Sequence, residues 1–376
     1  MELLSTPWDI LSSLIIFLVG ALIIETTRKK INISRKISFL LYCWHTIFSI
    51  VYSYLALTKG ADAVYYYETA KLGECPIALG TRAVTAFTCT LTSMNISFLG
   101  AFLVFNIFGS LGLITFFASL KSATHSSPRY LKFLVILIVF LPSLSYWTSA
   151  IGKDSIAFMS VAFSLWASLN LKNRKLLMLT SILLMFAVRP HVAFIMVLAL
   201  LIPSLLHSQL RVYLKLLIFL SLIIIISLSL QTILDYVGLS SLNISSVNEF
   251  IQQRQGYNLG GGSSIDLKSL SFPMKIFTYL FRPLPFEAHN LLALFASIDN
   301  IFLLSVFIIT FKSVFNKSLG QSNRMYLWFY SLIVLVVFSL MTANLGIAVR
   351  QKWMTLPIFI YLFISMVNKR HQNQSI

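Results

Sequence analysis

Long apolar runs recur along the whole chain, separated by short polar segments. Eleven runs are predicted to be membrane-spanning helices, because a helix needs about 20 mostly apolar residues to cross a bilayer. The predicted spans lie near residues 8–25, 37–57, 97–119, 132–149, 156–171, 176–188, 192–206, 216–234, 291–311, 326–343 and 353–367. The sixth and seventh are short and form either a helical hairpin or one helix broken around Pro190. The pattern predicts an all-α polytopic integral membrane protein with one transmembrane domain over residues 1–376.

Composition supports this fold class over a soluble one. The chain is 57% hydrophobic and only 11% charged, whereas about a quarter of an ordinary soluble chain is charged. A soluble protein of 376 residues has too little interior to bury that much apolar surface.

The net charge of +17 suggests nucleic acid at first, but the distribution of the bases favours membrane topology. The bases form short clusters between apolar runs, as the positive-inside rule predicts. When the loop at Arg28 is cytoplasmic, that side collects 18 of the 29 Lys and Arg residues and a single acid, Glu25. We therefore expect the N-terminus outside, the C-terminus in the cytoplasm, and no nucleic-acid partner.

Two connections on the predicted outer side are long, residues 58–96 and residues 235–290. The cytoplasmic loops are all short and leave no room for a catalytic domain there. The chain also lacks the GxxxxGK[ST] motif, which argues against an ATP-driven pump. Functional residues are therefore expected on the outer side.

The three cysteines form no CxxC or Cys/His metal pattern. Cys43 lies in an apolar run and is read as a packing residue. Cys75 and Cys89 share the first outer loop, where a disulfide would persist, although their spacing alone does not establish that they pair.

Polar residues on the outer side lie in compact groups at the ends of the predicted spans. The first group contains Asp62 and Tyr66, within a run of three tyrosines. A carboxylate can accept a proton from a sugar hydroxyl, and aromatic rings stack on sugar faces. The alternative is an interfacial tyrosine belt with a solvated acid.

The second and third groups lie around the fourth to seventh spans. Lys153 and Asp154 occupy the tight turn before the fifth span, where they either pair with each other or leave Lys153 to hold a phosphate. Arg189 lies between two short apolar runs at a depth where a charge is costly without a function. His191 follows it and is more typical of a structural histidine.

The fourth group, Arg282 and Glu287, closes the second long loop, where the two prolines between them fix an extended, rigid backbone path. The pair is either an ion pair in a proline-rich turn or part of a site. The fifth group contains Arg350 and Lys352, bases on the side that the positive-inside rule disfavours, which suggests an anionic ligand. Asp299, inside the ninth span, is expected to pair with an outer arginine or to couple to protons.

Together these groups predict an anion-binding cluster of Lys153, Arg189, Arg282 and Arg350. Arginine suits phosphate because its planar guanidinium donates two parallel hydrogen bonds. A pyrophosphate on a lipid carrier would meet these residues at the membrane surface.

Five segments carry a resemblance to a known family: GADAVYYYETA, SYWTSAIGKDSIAF, AVRPHVAF, YLFRPLPFEAHN and NLGIAVRQKWM. The chain resembles bacterial O-antigen or capsule repeat-unit polymerases, the Wzy-type and related exopolysaccharide polymerases, whose fold is similar to GT-C glycosyltransferases. The resemblance implies a location in the bacterial cytoplasmic membrane and transfer of oligosaccharide from undecaprenyl diphosphate onto another lipid-linked repeat. It also implies a flippase and a chain-length regulator as partners.

On this interpretation Asp62, or Glu287 as second choice, accepts the proton of the attacking hydroxyl. Lys153, Arg189, Arg282, Arg350, His191 and Tyr66 bind the pyrophosphate and substrate. The donor is already activated, so no nucleotide cofactor is needed, and a divalent metal is compatible but not required. Two alternatives remain open: a flippase or transporter for lipid-linked sugars, and a GT-C transferase that adds a single sugar from a polyprenyl monophosphate.

Overall fold

The computed structural model describes residues 2–207, residues 263–311 apart from 268, residues 322–374, and a few isolated positions between 211 and 253. Within these residues the regular structure is α-helix with short 3-10 turns, apart from a single antiparallel bridge between Ser264 and Asn344. The protein is therefore an all-helical membrane protein, as predicted. The predicted eighth span and most of the second long loop lie outside the described residues.

Fifteen α-helices can be delimited in the described part of the chain, and we number them in chain order. The first ten are α1 (Pro7–Lys30), α2 (Arg35–Lys59), α3 (Asp62–Lys71), α4 (Thr81–Ser93), α5 (Phe98–Ala123), α6 (Arg129–Val139), α7 (Pro142–Thr148), α8 (Lys153–Ser168), α9 (Lys175–Val188) and α10 (Pro190–His207). The others are α11 (Phe272–Phe281), α12 (Leu291–Phe311), α13 (Ser322–Met341), α14 (Leu345–Gln351) and α15 (Leu356–Gln374).

Among the described residues, six helical segments are long and apolar enough to cross a membrane, fewer than the eleven predicted. They are α1, α2, α5, α6 with α7 counted together, α12 and α13. A seventh arises if α14 and α15, which meet at a bend of 58°, form one broken span. The apolar stretches Lys175–Val188 and Pro190–Pro203, which belong to α9 and α10, are each shorter than a full span. The two helices are separated at Arg189–Pro190. Proline breaks the helix here because it lacks the N–H that the preceding turn would bond.

The helix α5 lies at the centre of the N-terminal half and packs against α1, α2 and α8. It carries glycines where its neighbours come closest. A Cβ on Gly109 would lie 2.0 Å from the carbonyl oxygen of Thr148 and 2.5 Å from a ring carbon of His45. Only a residue without a side chain permits this approach of α2, α5 and α7.

A polar network lies inside this close contact. The fully buried His45 bonds Asn106 at 2.5 Å through Nδ1 and Thr148 at 3.0 Å through Nε2. Asn106 in turn donates to Thr46 at 2.9 Å. Buried polar groups that all have partners specify one arrangement of their helices, so this network fixes α2, α5 and α7 relative to one another.

The first long connection, residues 58–96, contains the helices α3 and α4 rather than an irregular loop. The two helices pack against each other, and Cys75 and Cys89 form a disulfide that closes the turn between them. The hydroxyl of Tyr67 on α3 donates to the carbonyl of Ile96 at 2.7 Å, at the start of α5. These contacts hold the α3–α4 hairpin over the end of the bundle.

The bridge between Ser264 and Asn344 attaches the end of the second outer segment to the start of α14. The N–H of Ile265 donates to Ala343, and the N–H of Leu345 donates to Ser263, each at 2.9 Å. Residues 263–265 therefore cross the connection between α13 and α14, shortly before Arg350.

Candidate functional site

A charged cluster lies at the end of the bundle where α2 stops. The helix α2 begins at Arg35, and its 25 residues rise about 37 Å, roughly the thickness of a bilayer. The cluster is therefore separated by that length from the basic residues at the start of α2. It consists of Asp62, Lys153, Asp154, Arg189 and Arg350, and we call it the outer charged cluster.

Asp154 is the centre of this cluster. Its Oδ1 accepts a hydrogen bond from Nη2 of Arg189 at 2.8 Å, and its Oδ2 accepts one from Nε of Arg350 at 3.0 Å. Burial would raise the pKa of this carboxyl, but the guanidinium groups of Arg350 and Arg189 outweigh burial and lower the pKa to about 2. One buried carboxylate thus joins the break between α9 and α10 to the end of α14.

Asp62 lies on the solvent side of the cluster. Its Oδ2 accepts a hydrogen bond from Nη1 of Arg350 at 3.0 Å, and its side chain is 60% exposed compared with 9% for Asp154. Arg350 is therefore held from within by Asp154 and from outside by Asp62. An ion pair with one exposed partner is worth little in stability, so an anion from solution can compete with Asp62 for Arg350.

Lys153 extends in a different direction from Asp154. Its Nζ donates to Oγ1 of Thr81, the first residue of α4, at 3.1 Å. Burial and the charge of Arg189 lower the pKa of Lys153 to about 8. The structure thus gives Lys153 and Asp154 different partners, rather than the Lys–Asp pair that was one of the two sequence interpretations.

Tyr66 packs at the same place, and its ring is buried on α3. A Cβ on Gly152, the residue before α8, would lie 4.0 Å from this ring. Burial and the negative charge of Asp62 raise the pKa of Tyr66 to about 12. Tyr66 is therefore a neutral phenol beside the cluster at physiological pH.

Four helices begin at the cluster: α3 at Asp62, α4 at Thr81, α8 at Lys153 and α10 at Pro190. The residues before α3, α4 and α8 make no hydrogen bond from a side chain to the first turn. Gly80, before α4, has a φ of 75°, a conformation that favours glycine. Helix N-termini carry partial positive charge and free N–H groups, so the helix ends and the three bases favour the same kind of ligand, an anion.

The guanidinium of Arg189 has one N–H donor that no described residue uses. The residue is 8% exposed, and its Nε is buried without a hydrogen-bond partner among the described residues. A buried donor without a partner costs about 1–3 kcal/mol, so this position favours an acceptor such as a phosphate oxygen or a water molecule.

Aromatic rings line one side of the cluster. The rings of Tyr52 and Tyr146 are stacked with centroids 4.3 Å apart, and Trp147 meets both edge-on. The guanidinium of Arg350 lies 5.5 Å from the centre of the Trp147 ring, within the range of a cation–π interaction. The aromatic side chains therefore support Arg350 and provide an apolar surface beside the charges.

Arg282 and Glu287, two predicted site residues, form a local ion pair. The Nε of Arg282 donates to Oε1 of Glu287 at 2.8 Å, and the N–H of Leu284 donates to Oε2 at 2.8 Å. Burial would raise the pKa of Glu287, but the hydrogen bonds from Arg282 and from the N–H of Leu284, together with the charge of Arg282, outweigh burial and lower the pKa. Among the described contacts, none joins this pair to the outer charged cluster.

His191 contacts an aromatic ring, and Lys352 is bonded within the protein interior. The ring of His191 meets Phe338 edge-on, with centroids 6.4 Å apart. Lys352 is fully buried and donates to the side-chain oxygen of Asn300, so it faces the interior rather than a ligand.

Asp299 accepts a hydrogen bond from the N–H of Ser143 at 2.7 Å, in the first turn of α7. Among the described residues no arginine lies within ion-pair distance of it, so the expected pairing with an arginine is wrong. The base whose charge acts on Asp299 is Lys352. Helix N-termini favour a carboxylate, which accounts for its position.

The structure brings Asp62, Tyr66, Lys153, Arg189 and Arg350 into one cluster, whereas Arg282, which the predicted anion-binding cluster included, pairs with Glu287 elsewhere. The sequence analysis did not assign the central position to Asp154. The signal was present, since Asp154 is an acid at the boundary of a predicted span among several bases.

Within the described residues, no three His, Cys, Asp or Glu side chains are placed to hold one metal ion. No protein-family model, curated protein or solved structure matches the chain significantly.

Proposed function

We propose that the protein is a membrane glycosyltransferase that polymerises oligosaccharide repeat units carried on undecaprenyl diphosphate into surface polysaccharide. The reaction would take place at the outer face of the bacterial cytoplasmic membrane. The observation that carries the proposal is the outer charged cluster, in which Arg189, Arg350 and Lys153 converge with four helix N-termini. Such a site is suited to a diphosphate at the membrane surface.

In the proposed reaction a hydroxyl oxygen of the acceptor sugar attacks the anomeric carbon of the donor sugar. The bond between that carbon and the diphosphate oxygen breaks, and the lipid diphosphate departs with the electron pair. Arg350, Arg189 and Lys153 stabilise the charge that develops on the leaving group. Asp62 accepts the proton of the attacking hydroxyl.

The exposed position of Asp62 fits this role. In the structure Asp62 pairs with Arg350. A diphosphate that binds Arg350 would compete with Asp62 and release its carboxylate to act as a base. The inner contact of Arg350 with Asp154 would keep the guanidinium in place during this exchange.

Two substitutions test these roles. Arg350→Lys keeps the charge but cannot contact Asp154 and Asp62 together, so we expect loss of long polysaccharide chains. Asp62→Asn removes the proton acceptor, and loss of a general base typically lowers the rate about 10²–10⁴-fold. Chain length is measured by electrophoresis of surface polysaccharide, with immunoblots for protein abundance.

Arg282→Lys serves as a comparison, because Arg282 pairs with Glu287 outside the cluster. Normal long chains in Arg350→Lys would remove the anion-binding role of Arg350. Normal chains in Asp62→Asn would remove Asp62 from the role of the base.

A transporter or flippase for lipid-linked sugars is the second candidate function. The observation that favours it is the presence of two interrupted helices, at Arg189–Pro190 and at the bend of 58° between α14 and α15. Discontinuous helices frequently form substrate sites in transporters. Deletion of the gene in its native host separates the candidates: single repeats without long chains indicate a polymerase, loss of all repeats a flippase, and an altered repeat a single-sugar transferase.

A further inference from the structure

A groove lies between α1 and α2 at the end of the bundle opposite the outer charged cluster. It has a volume of about 300 Å³. Leu18 and Leu22 of α1 and Phe39 of α2 line its wall, and all three side chains are more than half exposed in the isolated chain. Glu25 and Arg35 also line the groove, at the end near the start of α2, which we call its mouth. Lys29 does not line the groove but lies beside Glu25. The groove thus has an apolar wall and a charged rim.

The charged side chains around the mouth of the groove carry a net positive charge, although one of them is the acid Glu25. Arg28 bonds both carboxylate oxygens of Glu25 and thereby neutralises it. Lys29 and Arg35 lie farther from this carboxylate, at 3.7 Å and 3.8 Å, and their side chains are 67% and 80% exposed. These two bases therefore have most of their hydrogen-bonding capacity available to a further anion.

The groove is open because α1 packs loosely. About 22% of the most apolar stretch of α1 is buried by the described protein, compared with 83% for that of α5. Where no other part of the protein packs on it, the apolar face of a membrane helix lies against lipid, whose tails are as apolar as leucine. The lipid that covers this face meets Lys29 and Arg35 at the level of its headgroup.

We propose that the groove between α1 and α2 is a binding site for a phospholipid with a net negative headgroup, such as phosphatidylglycerol. The lipid phosphate contacts Arg35 and Lys29, and one acyl chain lies along Leu18, Leu22 and Phe39. Arginine binds a phosphate through two parallel hydrogen bonds. A zwitterionic lipid carries an ammonium group that these two bases repel, so the anionic headgroup is preferred. This proposal does not depend on the proposed enzymatic function.

The test uses the purified full-length protein in dodecyl maltoside, titrated with phosphatidylglycerol or phosphatidylcholine, with bound lipid counted by native mass spectrometry. We expect phosphatidylglycerol to bind more tightly. A base near an anionic lipid strengthens binding about fivefold, so the double variant Lys29→Gln/Arg35→Gln is expected to bind it roughly 25-fold more weakly.

Lys172→Gln/Lys175→Gln is the matched control, because it removes two exposed bases outside the groove. It is expected to leave the affinity unchanged. Leu22→Trp keeps every charge but fills the groove, so it is expected to weaken binding even if the double glutamine variant folds poorly. Equal affinity for both lipids, an equal loss in the control, or unchanged binding in Leu22→Trp would overturn the proposal.

Discussion

At the residue scale, the cluster depends on a single buried carboxylate. Asp154 lies between two guanidinium groups, so its charge offsets the cost of bringing Arg189 and Arg350 together. Removing one member of a buried ion pair leaves the remaining charge buried without compensation. This costs more free energy than replacing the whole pair with apolar residues. Asp154 is therefore a structural requirement for the site even if it never contacts a substrate.

Asp154→Asn is expected to destabilise the folded protein by about 3–5 kcal/mol, because it leaves Arg189 and Arg350 without their shared counter-charge. The measurement is thermal unfolding in detergent. Glu68→Gln, which neutralises an exposed acid on α3, is the control and should leave the midpoint nearly unchanged. An unchanged midpoint for Asp154→Asn would contradict the central role of this carboxylate.

The pH dependence of that stabilisation follows from the depressed pKa of Asp154. The folded value of about 2 lies below the usual value of about 3.9 in an unfolded chain. The stabilisation is therefore fully present above about pH 4 and is lost as the pH falls towards 2. Between pH 5 and pH 8 the stability difference between the native protein and Asp154→Asn should stay constant, which unfolding curves at several pH values can check.

Lys153 gives the site a second pH dependence, in which a positive charge is lost as the pH rises. Its pKa of about 8 means that the ammonium loses its proton as the pH rises above 8. Binding of a diphosphate that needs this charge should weaken between pH 7 and pH 9. Calorimetry with farnesyl diphosphate is the measurement, and Lys153→Arg should remove the decline because arginine stays charged. A decline that persists in Lys153→Arg would assign it to another group.

The sequence predicted residues at the site better than it predicted their pairing. Asp62, Lys153, Arg189 and Arg350 were identified because each is a charge at the boundary of an apolar run, where burial is costly without a partner. Arg282 met the same criterion, yet it pairs with Glu287 five residues away. A residue's position relative to the membrane can be read from the sequence, but which distant charge it contacts depends on helix packing.

At the element scale, the apolar pattern marks the long spanning helices of the described residues, although it predicted eleven spans where six are found there, and it missed the helices outside the spans. Apolar runs mark α1, α2, α5 and α12 directly. The helices α3 and α4 were assigned to a loop, because polar and threonine-rich stretches lack the long apolar face that identifies a span. Their fold depends on tertiary contacts and on the disulfide between Cys75 and Cys89, which the sequence left open.

Replacing Cys75 and Cys89 together with serine is expected to destabilise the α3–α4 hairpin by about 2–4 kcal/mol, because the disulfide restricts the unfolded chain. The protection of the α3 and α4 amides against hydrogen exchange should fall as the hairpin loses stability. Cys43→Ser removes the free cysteine and provides the control. Unchanged exchange in the double variant would contradict a stabilising role for the disulfide.

Gly109→Ala tests the close packing of α2, α5 and α7. The added Cβ would lie 2.0 Å from a backbone carbonyl that cannot rotate away, so the helices must separate. Overpacking of this kind typically costs about 1–3 kcal/mol or more. We expect a lower unfolding temperature. We also expect weaker contacts within the outer charged cluster, because Trp147, which packs against Arg350, directly precedes Thr148. Ser122→Ala, at the exposed end of the same helix, should be neutral.

At the scale of the whole molecule, the distribution of charge predicts the orientation in the membrane. With the basic end in the cytoplasm, the outer charged cluster faces outward. A cysteine at Phe286, which is 84% exposed, should react with a membrane-impermeant maleimide in intact spheroplasts. A cysteine at Asn173 should react only after the membrane is opened. Labelling at Asn173 alone would reverse the orientation and move the cluster to the cytoplasm.

The distances along the chain within the cluster also determine when the site can form during synthesis. Asp154 and Arg189 are 35 residues apart, whereas Asp62 and Arg350 are 288 apart. The first pair can therefore assemble soon after both helices enter the membrane, long before the ribosome reaches Arg350. A nascent or truncated chain that stops before Arg350 lacks the residue that joins Asp62 to Asp154, so the catalytic arrangement proposed here can exist only after Arg350 has been synthesised and inserted.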